Sequence, residues 1–256
     1  MLRRLWLDNP LTRSMLFFPA KAQPGKSLLA DTHDGVIPLG DVEIDYRLYF
    51  RTDASALLLW FHGNAESAAD YDVPASLLRD IGIALLVVDY RGYGWSSGRP
   101  CASALLSDAE GGLHRLPELL VQCEMSELPL FVVGRSLGGA PAIHLASKFP
   151  GLFKGIILES TFAHAPSVLG RAFARVPSLF DNRRKIAQVS LPLLVIHGER
   201  DQIIPVGQGQ TLFDSSPAQH KVLMRVPNAG HNDLMVKAAT GYFVAIKKFV
   251  GNVLNA

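Results

Sequence analysis

One serine of the chain has the surroundings of a catalytic nucleophile. Residues 134–138 read Gly-Arg-Ser-Leu-Gly, which matches the pattern G-x-S-x-G with Ser136 at its centre. The pattern directly follows an apolar run typical of a buried strand, residues 130–133, and opens a helical pattern over 137–149. A tight turn between strand and helix lifts a serine hydroxyl above the end of a sheet, where it can attack a carbonyl carbon. Ser136 is therefore the candidate nucleophile.

A second stretch of the chain has a similar composition. Residues 94–98 read Gly-Trp-Ser-Ser-Gly, and with 22 glycines in the chain such matches arise by chance. Ser96 is followed by Ser97, Gly98, Arg99 and Pro100, which is typical of a loop and not of a helix start. The context therefore favours Ser136 over Ser96.

A serine hydroxyl is a weak nucleophile, so Ser136 needs a base and a carboxylate that orients the base. His231 follows Gly230 directly after the last predicted strand, where a loop histidine can reach over the sheet. Asp201 follows the apolar strand pattern of residues 193–196 and is the preferred orienting acid. Glu159, at the end of the preceding strand pattern, and Glu199 are the alternatives that the sequence leaves open.

Acyl transfer also requires donors for the oxyanion of the tetrahedral intermediate. The backbone N–H groups of Asn64, in the stretch Phe-His-Gly-Asn-Ala after a strand pattern, and of Leu137 are the candidates. His62 and His197 each precede a glycine at a strand end and are interpreted as structural. Because the chain has neither paired Cys/His spacing nor an H-E-x-x-H pattern, we expect no metal. We also expect no cofactor, since Ser97 replaces the third glycine of G-x-G-x-x-G and Ala140-Pro141 replace the Lys-Ser/Thr of a P-loop.

The elements that position these residues form an alternating pattern. Residues 42–50 alternate as a half-buried strand should, and near-continuous apolar runs follow, which is typical of parallel strands covered on both faces. These runs occupy residues 56–61, 83–88, 130–133, 155–158 and 193–196, and a last strand is predicted over 221–226. Helical patterns separate them at 67–81, 102–121, 137–149 and 206–213, and a last helix is predicted over 232–250. The pattern predicts an α/β fold, with residues 31–256 as one domain.

Two segments interrupt this rhythm. Residues 161–190 form an insertion of about thirty residues, a length that usually marks a functional lid, and we predict a short cap here. Within it, residues 168–176 carry apolar side chains at helical spacing, which either line an acyl cleft or cover the sheet. This insertion and residues 1–30 each carry five basic side chains against one acidic side chain. Peripheral contact with an anionic membrane surface and a solvated basic face are the two interpretations.

Composition excludes several classes of protein. Of 256 residues, 48% are hydrophobic and 19% charged, which is too apolar for a disordered chain. A net charge of +2 does not favour a nucleic-acid binder. No apolar run approaches the roughly 20 residues that span a bilayer, so we expect a cytoplasmic protein with at most peripheral membrane contact.

Five motifs in fixed order resemble the α/β-hydrolase superfamily. They read HGNA at 62–65, DYRGYGWSSG at 89–98, GRSLGG at 134–139, HGERDQIIP at 197–205 and GHND at 230–233. The likeness runs from about Val42 to the C-terminus and is strongest to the branch that holds eukaryotic depalmitoylases and bacterial hydrolases. The resemblance implies an α/β-hydrolase fold with a mostly parallel central sheet, a triad of Ser136, Asp201 and His231, and an oxyanion hole from Asn64 and Leu137. It further implies hydrolysis of esters or thioesters.

These observations together predict a cofactor-free serine hydrolase that forms an acyl-enzyme on Ser136. Because the predicted cap is short, small to medium acyl esters or thioesters are the expected substrates. Two alternatives stay open: a serine peptidase or amidase, since the same triad cleaves amides, and a non-catalytic binding protein on the same fold.

Overall fold

A computed structural model describes residues 10–123, 125, 127–165 and 180–256 of the chain. Strands and helices alternate along it, and the predicted α/β class with a mostly parallel arrangement of strands is confirmed. Residue contacts group the chain into two compact units, Met1–Pro129 and Leu130–Ala256. The organisation of residues 31–256 as one domain stays a prediction.

In the part of the first unit that the structure describes, the strands are β1 (Thr32–Leu39), β2 (Val42–Tyr49), β3 (Ala56–Phe61) and β4 (Ile83–Val88). They lie in the order β1-β2-β4-β3, with β3 and β4 parallel and β2 antiparallel to both of its neighbours. Every residue of β3 and β4 is buried, as their continuous apolar sequence requires. β1 was not predicted, because Gly35 and Pro38 interrupt its sequence and its residues are largely half-exposed at the edge.

The described residues of this unit form the helices α1 (Pro10–Leu16), α2 (Asp72–Asp80) and α3 (Ala102–Gln122). A 3₁₀ turn, Ala68–Tyr71, precedes α2, so the helix predicted from residue 67 begins with a tighter turn. Among the described residues, no helix has both the length and the apolar character that a bilayer span requires.

The second unit contains β5 (Leu130–Arg135), β6 (Gly155–Glu159), β7 (Leu193–Gly198) and β8 (Lys221–Val226). These four strands are parallel and lie side by side in chain order, so their carboxyl ends share one edge. The helices described here are α4 (Gly139–Lys148), α5 (Asn182–Ile186), α6 (Val206–Ser215), α7 (Leu234–Ala238) and α8 (Thr240–Leu254). The shared edge is where open α/β sheets bind ligands.

The prediction of one final helix over residues 232–250 was wrong. The segment forms α7 and α8, separated at Ala239, whose φ of 48° lies in the left-handed region and ends the helical hydrogen-bond pattern. Neither glycine nor proline stands at position 239, so the sequence gives no local signal for this break.

Two described segments of the predicted cap insertion, residues 162–164 and 181–182, lie together. His164 and Asp181 pair as an isolated antiparallel bridge, and the Asn182 side-chain amide donates to the carbonyl of Phe162 at 2.9 Å. Residues 166–179, with Arg171, Arg175 and the apolar side chains predicted either to line an acyl cleft or to cover the sheet, lie outside the described residues, as do residues 1–9 with Arg3 and Arg4. The other basic residues of the insertion, Arg183, Arg184 and Lys185, lie in α5.

Candidate active site

Ser136 stands at a strained turn between β5 and α4. Its φ of 52° lies in the left-handed region, and a single 3₁₀ turn, Ser136–Gly138, leads into the helix. A Cβ at Gly134 would lie 2.5 Å from the Gly138 carbonyl oxygen, and a Cβ at Gly139 would overlap the side chain of Thr161. The turn can therefore close only because Gly134 lacks a side chain, and it can pack against Thr161 only because Gly139 lacks one. Its strained backbone places the serine hydroxyl at the strand end.

The structure brings Ser136, His231 and Asp201 into one hydrogen-bonded chain. The Nε2 atom of His231 lies 3.0 Å from the Oγ of Ser136, and its Nδ1 lies 2.7 Å from Oδ2 of Asp201. All three residues are largely buried, and Ser136 and His231 each retain 8% exposure. With Nδ1–H donating to the carboxylate, Nε2 can accept the hydroxyl proton, which is the arrangement that nucleophilic serine chemistry needs.

The Asp201 carboxylate is fixed by the backbone of its own loop. Its Oδ1 accepts hydrogen bonds from the N–H groups of Ile203 at 2.9 Å and Ile204 at 2.8 Å. Burial alone would raise the pKa of Asp201, but hydrogen bonds from His197, His231 and the Ile204 N–H outweigh it and hold the pKa well below its usual range. The carboxylate is thus charged throughout the neutral range and oriented toward His231.

The alternative acids lie elsewhere. Glu159 is buried and accepts from Arg135 Nε at 3.1 Å and from the Tyr242 hydroxyl at 2.6 Å. Glu199 is exposed. Of the three carboxylates weighed from the sequence, Asp201 is the one in contact with His231.

The two predicted oxyanion donors lie in different compact units. Leu137 follows Ser136 inside the 3₁₀ turn of the second unit. Asn64 belongs to the first unit and lies in the loop after β3. Their convergence on one oxyanion stays a prediction.

The side chain of Asn64 has a role that sequence reasoning missed. Its Nδ2 donates to the Leu16 carbonyl at 2.9 Å, and its Oδ1 accepts from the Phe18 N–H at 3.0 Å and the Tyr93 hydroxyl at 2.6 Å. Tyr93 is fully buried, and Leu16 is 7% exposed. The amide therefore ties the segment after α1 to the loop that carries the predicted oxyanion donor.

We expect Asn64→Ala to lower the free energy of unfolding by about 2 kcal/mol, because it leaves the Leu16 carbonyl without this donor and the buried Tyr93 hydroxyl without this acceptor. The segment around residue 18 should loosen, so trypsin should cleave after the exposed Lys21 faster than in the parent protein. Urea unfolding and timed proteolysis measure the two effects. Asn255→Ala, at an exposed position, is the control; equal behaviour of both variants would contradict the anchoring role.

A buried acid pair lies beneath the same loop. Asp45 and Asp89 are 0% and 2% exposed, and the Nε2 of His62 lies 2.8 Å from Oδ1 of Asp89. Burial and the neighbouring Asp89 carboxylate raise the pKa of Asp45 to about 9, so Asp45 is protonated at neutral pH. Burial would also raise the pKa of Asp89, but His62 outweighs it and the pKa is lowered. Ser96 hydrogen-bonds Asp45 through its hydroxyl, so its side chain is part of this structural cluster.

This pair predicts a loss of stability as pH rises. In the folded protein Asp45 keeps a proton that the unfolded chain releases near pH 4. The stability that this group contributes is therefore lost progressively as pH rises from about 4 to about 9, the pKa of Asp45 in the folded protein. The pKa of His62 is also raised, since Asp89 outweighs its burial, and this adds to the loss. Asp45→Asn carries no titrating proton and should lose less stability between pH 6 and pH 9 in urea unfolding.

The exposed Asp41, replaced by Asn, is the matched control and should keep the parent slope. An Asp45→Asn variant whose stability declines as steeply as that of the control would show that the proton is not held on Asp45.

His197 contacts backbone and acid and not the nucleophile. It is fully buried, with Nε2 2.8 Å from the Ile204 carbonyl oxygen and 3.5 Å from Oδ2 of Asp201. It therefore supports the Asp201 loop. Across the part of the chain that the structure describes, no group of three or more His, Cys, Asp or Glu side chains could hold a metal ion.

Comparison with known proteins identifies the family to which the chain belongs. Residues 52–186, more than half of the chain, match the family described as serine aminopeptidase, S33. The chain belongs to this family of α/β hydrolases, and the resemblance predicted from its motifs is confirmed.

Individual relatives place the chain in the branch that the motifs predicted. It is 31% identical over 205 residues to protein bem46 of Schizosaccharomyces pombe, which covers 75% of this chain and 66% of that protein. It is 29% identical over 205 residues to alpha/beta hydrolase domain-containing protein 17C of Xenopus laevis, covering 77% and 62%. The chain thus spans less than two thirds of either relative. The esterase Pf2001 of Pyrococcus furiosus shares the fold, with a TM-score of 0.72, 17% identity and coverage of 92% and 97%.

Proposed function

We propose that this hydrolase cleaves carboxylic ester or thioester bonds through an acyl-enzyme on Ser136, with Asp201 and His231 completing the catalytic triad. The observation that carries the proposal is the hydrogen-bonded chain from Ser136 Oγ through both nitrogens of His231 to Asp201. A protein that uses this fold for recognition alone has no need of a strained serine hydrogen-bonded to an oriented imidazole. This argues against a non-catalytic role.

In the first half of the reaction, Ser136 Oγ attacks the substrate carbonyl carbon while His231 Nε2 accepts the hydroxyl proton. Asp201 stabilises the imidazolium through the Nδ1–H, and the N–H groups of Asn64 and Leu137 donate to the oxyanion. His231 then donates its proton to the leaving alcohol or thiol, and the ester bond to Ser136 remains. Water, deprotonated by His231, attacks this acyl-enzyme, and the acid is released with Ser136 regenerated.

Ester and thioester substrates with small to medium acyl groups are favoured on two grounds. The predicted cap, residues 161–190, is short, and one structural neighbour carries the name esterase. A serine peptidase or amidase is the second candidate, because the family description names a serine aminopeptidase. We propose a small-molecule partner, no nucleic acid and no cofactor.

Substrate profiling tests this proposal. We expect turnover of p-nitrophenyl esters of short to medium chain length and of acyl-thioesters, with slower turnover of aminoacyl amides. The Ser136→Ala variant should lose all three activities, whereas Ser97→Ala, at an exposed serine, should keep them. Amide cleavage faster than ester cleavage would favour the peptidase instead.

The location of the protein is part of the same proposal. The segment around α1 exposes Met15 at 48% and Phe18 at 56%, with the basic Arg13 nearby in sequence. Apolar side chains beside a basic one suit the surface of an anionic membrane, so peripheral contact is proposed for a cytoplasmic protein.

A further inference from the structure

Arg135 places a charged side chain directly before the candidate nucleophile. It is the last residue of β5, and its side chain is 11% exposed. A guanidinium withdrawn from water to this extent is costly unless acceptors surround it. Its partners therefore indicate what it does.

The guanidinium of Arg135 joins two strand ends of the second unit. Its Nε donates to Oε1 of Glu159, at the end of β6, at 3.1 Å. Its Nη2 donates to the main-chain carbonyl of His231 at 3.1 Å and to Oδ1 of Asn232 at 3.2 Å. One side chain thus reaches from the turn that carries Ser136 to the loop that carries His231.

The acid that holds Arg135 is itself held. Glu159 is 2% exposed, and its Oε2 accepts from the hydroxyl of Tyr242, a fully buried residue of α8. We call the set Arg135, Glu159, Asn232 and Tyr242 the guanidinium clamp. Because Glu159 has a partner on each carboxyl oxygen, its carboxylate is held in place and in turn holds the Arg135 guanidinium. Arg135 can then act as a rigid donor toward the His231 loop.

The clamp holds the main chain of His231, which the contacts of its ring do not fix. Asp201 orients the imidazole, but the ring moves with its main chain, which lies in a loop between β8 and α7. The loop has its own turn bonds, with Asp233 Oδ1 accepting from the Gly230 N–H at 2.6 Å and the Ala229 carbonyl accepting from the Arg200 N–H at 2.8 Å. The hydrogen bond from Arg135 adds a direct link between the base and the nucleophile turn.

We propose that Arg135 is a positioning residue that fixes the main chain of His231 relative to Ser136, with Glu159 and Tyr242 fixing Arg135. This inference rests on the proposed function and assigns Glu159, an alternative acid by sequence, to positioning. The expected signature is a fall in kcat at nearly constant KM, since the hydrogen bonds of the clamp act on the loop of the base.

The test uses the full chain with four substitutions. Arg135→Met removes the charge and the donors, and we expect kcat to fall roughly 10- to 100-fold, as small misplacements of catalytic groups do, with KM within about twofold. Arg135→Lys should restore part of kcat, because an ammonium can bind Glu159 or the His231 carbonyl but does not match the fork that binds both. Tyr242→Phe, which removes one hydroxyl, should show a smaller loss. Arg225→Met, at an exposed position of β8, is the matched control and should behave as the parent.

A second measurement separates this inference from the proposed function. The Nδ1–H of His231, held by Asp201, should give a low-field imidazole resonance in ¹⁵N-edited NMR whether or not esters are the substrate. We expect this resonance to broaden or vanish in Arg135→Met and to persist in Arg225→Met. If the parent hydrolyses no ester, the proposed function fails and the resonance alone decides the role of Arg135. A folded Arg135→Met variant that keeps the resonance would overturn the inference if the parent is inactive. If the parent is active, the inference is overturned when the variant keeps both the resonance and the kcat of the parent.

Discussion

Replacing Ser136 with alanine is expected to lower kcat for ester hydrolysis by about 10⁶-fold without unfolding the protein. No acyl-enzyme can form without the hydroxyl, and the residual rate would come from water attacking a substrate held by the remaining site. The change removes a single oxygen atom from a residue that is 8% exposed, so the melting temperature should stay close to that of the parent. Steady-state kinetics and thermal unfolding measure the two expectations.

A double variant of Ser136 and His231 checks this interpretation. His231→Ala should cost about as much as Ser136→Ala, and the double variant should be no slower than either single one, because the two groups act as a unit. Losses that multiply in the double variant would contradict a shared nucleophile and base.

Replacing Asp201 with asparagine is expected to lower kcat by roughly 10⁴-fold. Asparagine keeps the shape of the side chain but removes the negative charge that stabilises the imidazolium and selects the Nδ1–H form of His231. The low pKa of Asp201 means that the parent carboxylate is ionised throughout the assay range and supplies this charge at every neutral pH. The kcat of the two proteins on one ester measures it.

Glu199→Gln, at an exposed carboxylate two residues away, is the matched control and should keep kcat within about twofold. The loss of kcat in Glu159→Gln should lie between the losses in Asp201→Asn and Glu199→Gln, since Glu159 acts through Arg135. A larger loss from either glutamate than from Asp201 would show that the acid is misassigned.

Much of the fold could be predicted because the strands that matter are strongly patterned. β3 and β4 begin and end where their apolar runs do, β5 extends two residues beyond its run, and β8 has the predicted bounds although Lys221 and Arg225 interrupt its apolar sequence. A parallel strand buried on both faces must be apolar throughout, so its sequence is distinctive. β1 lacks this signal, because an edge strand is solvated on one side and tolerates the Gly35 and Pro38 that it contains.

Some residues of the candidate site could likewise be predicted from the sequence and others could not. Ser136, Asp201 and His231 could be proposed because each combines a chemically required residue type with a strand end, and the structure brings them into contact. The clamp of Arg135 and the amide bonds of Asn64 could not, since they depend on which loops meet in space and their partners are 24 to 97 residues away in sequence. Residue type alone likewise left Glu159 open as a triad acid.

Mass spectrometry of the protein treated with a fluorophosphonate tests the central claim most directly. Such a probe forms a covalent bond with a serine oxygen that an adjacent base activates, and it reports no natural substrate. We expect one adduct per chain, on the peptide containing Ser136, and no adduct in Ser136→Ala or His231→Ala. Labelling at Ser96, or an unlabelled parent protein that is fully folded, would contradict the assignment of Ser136 as an activated nucleophile.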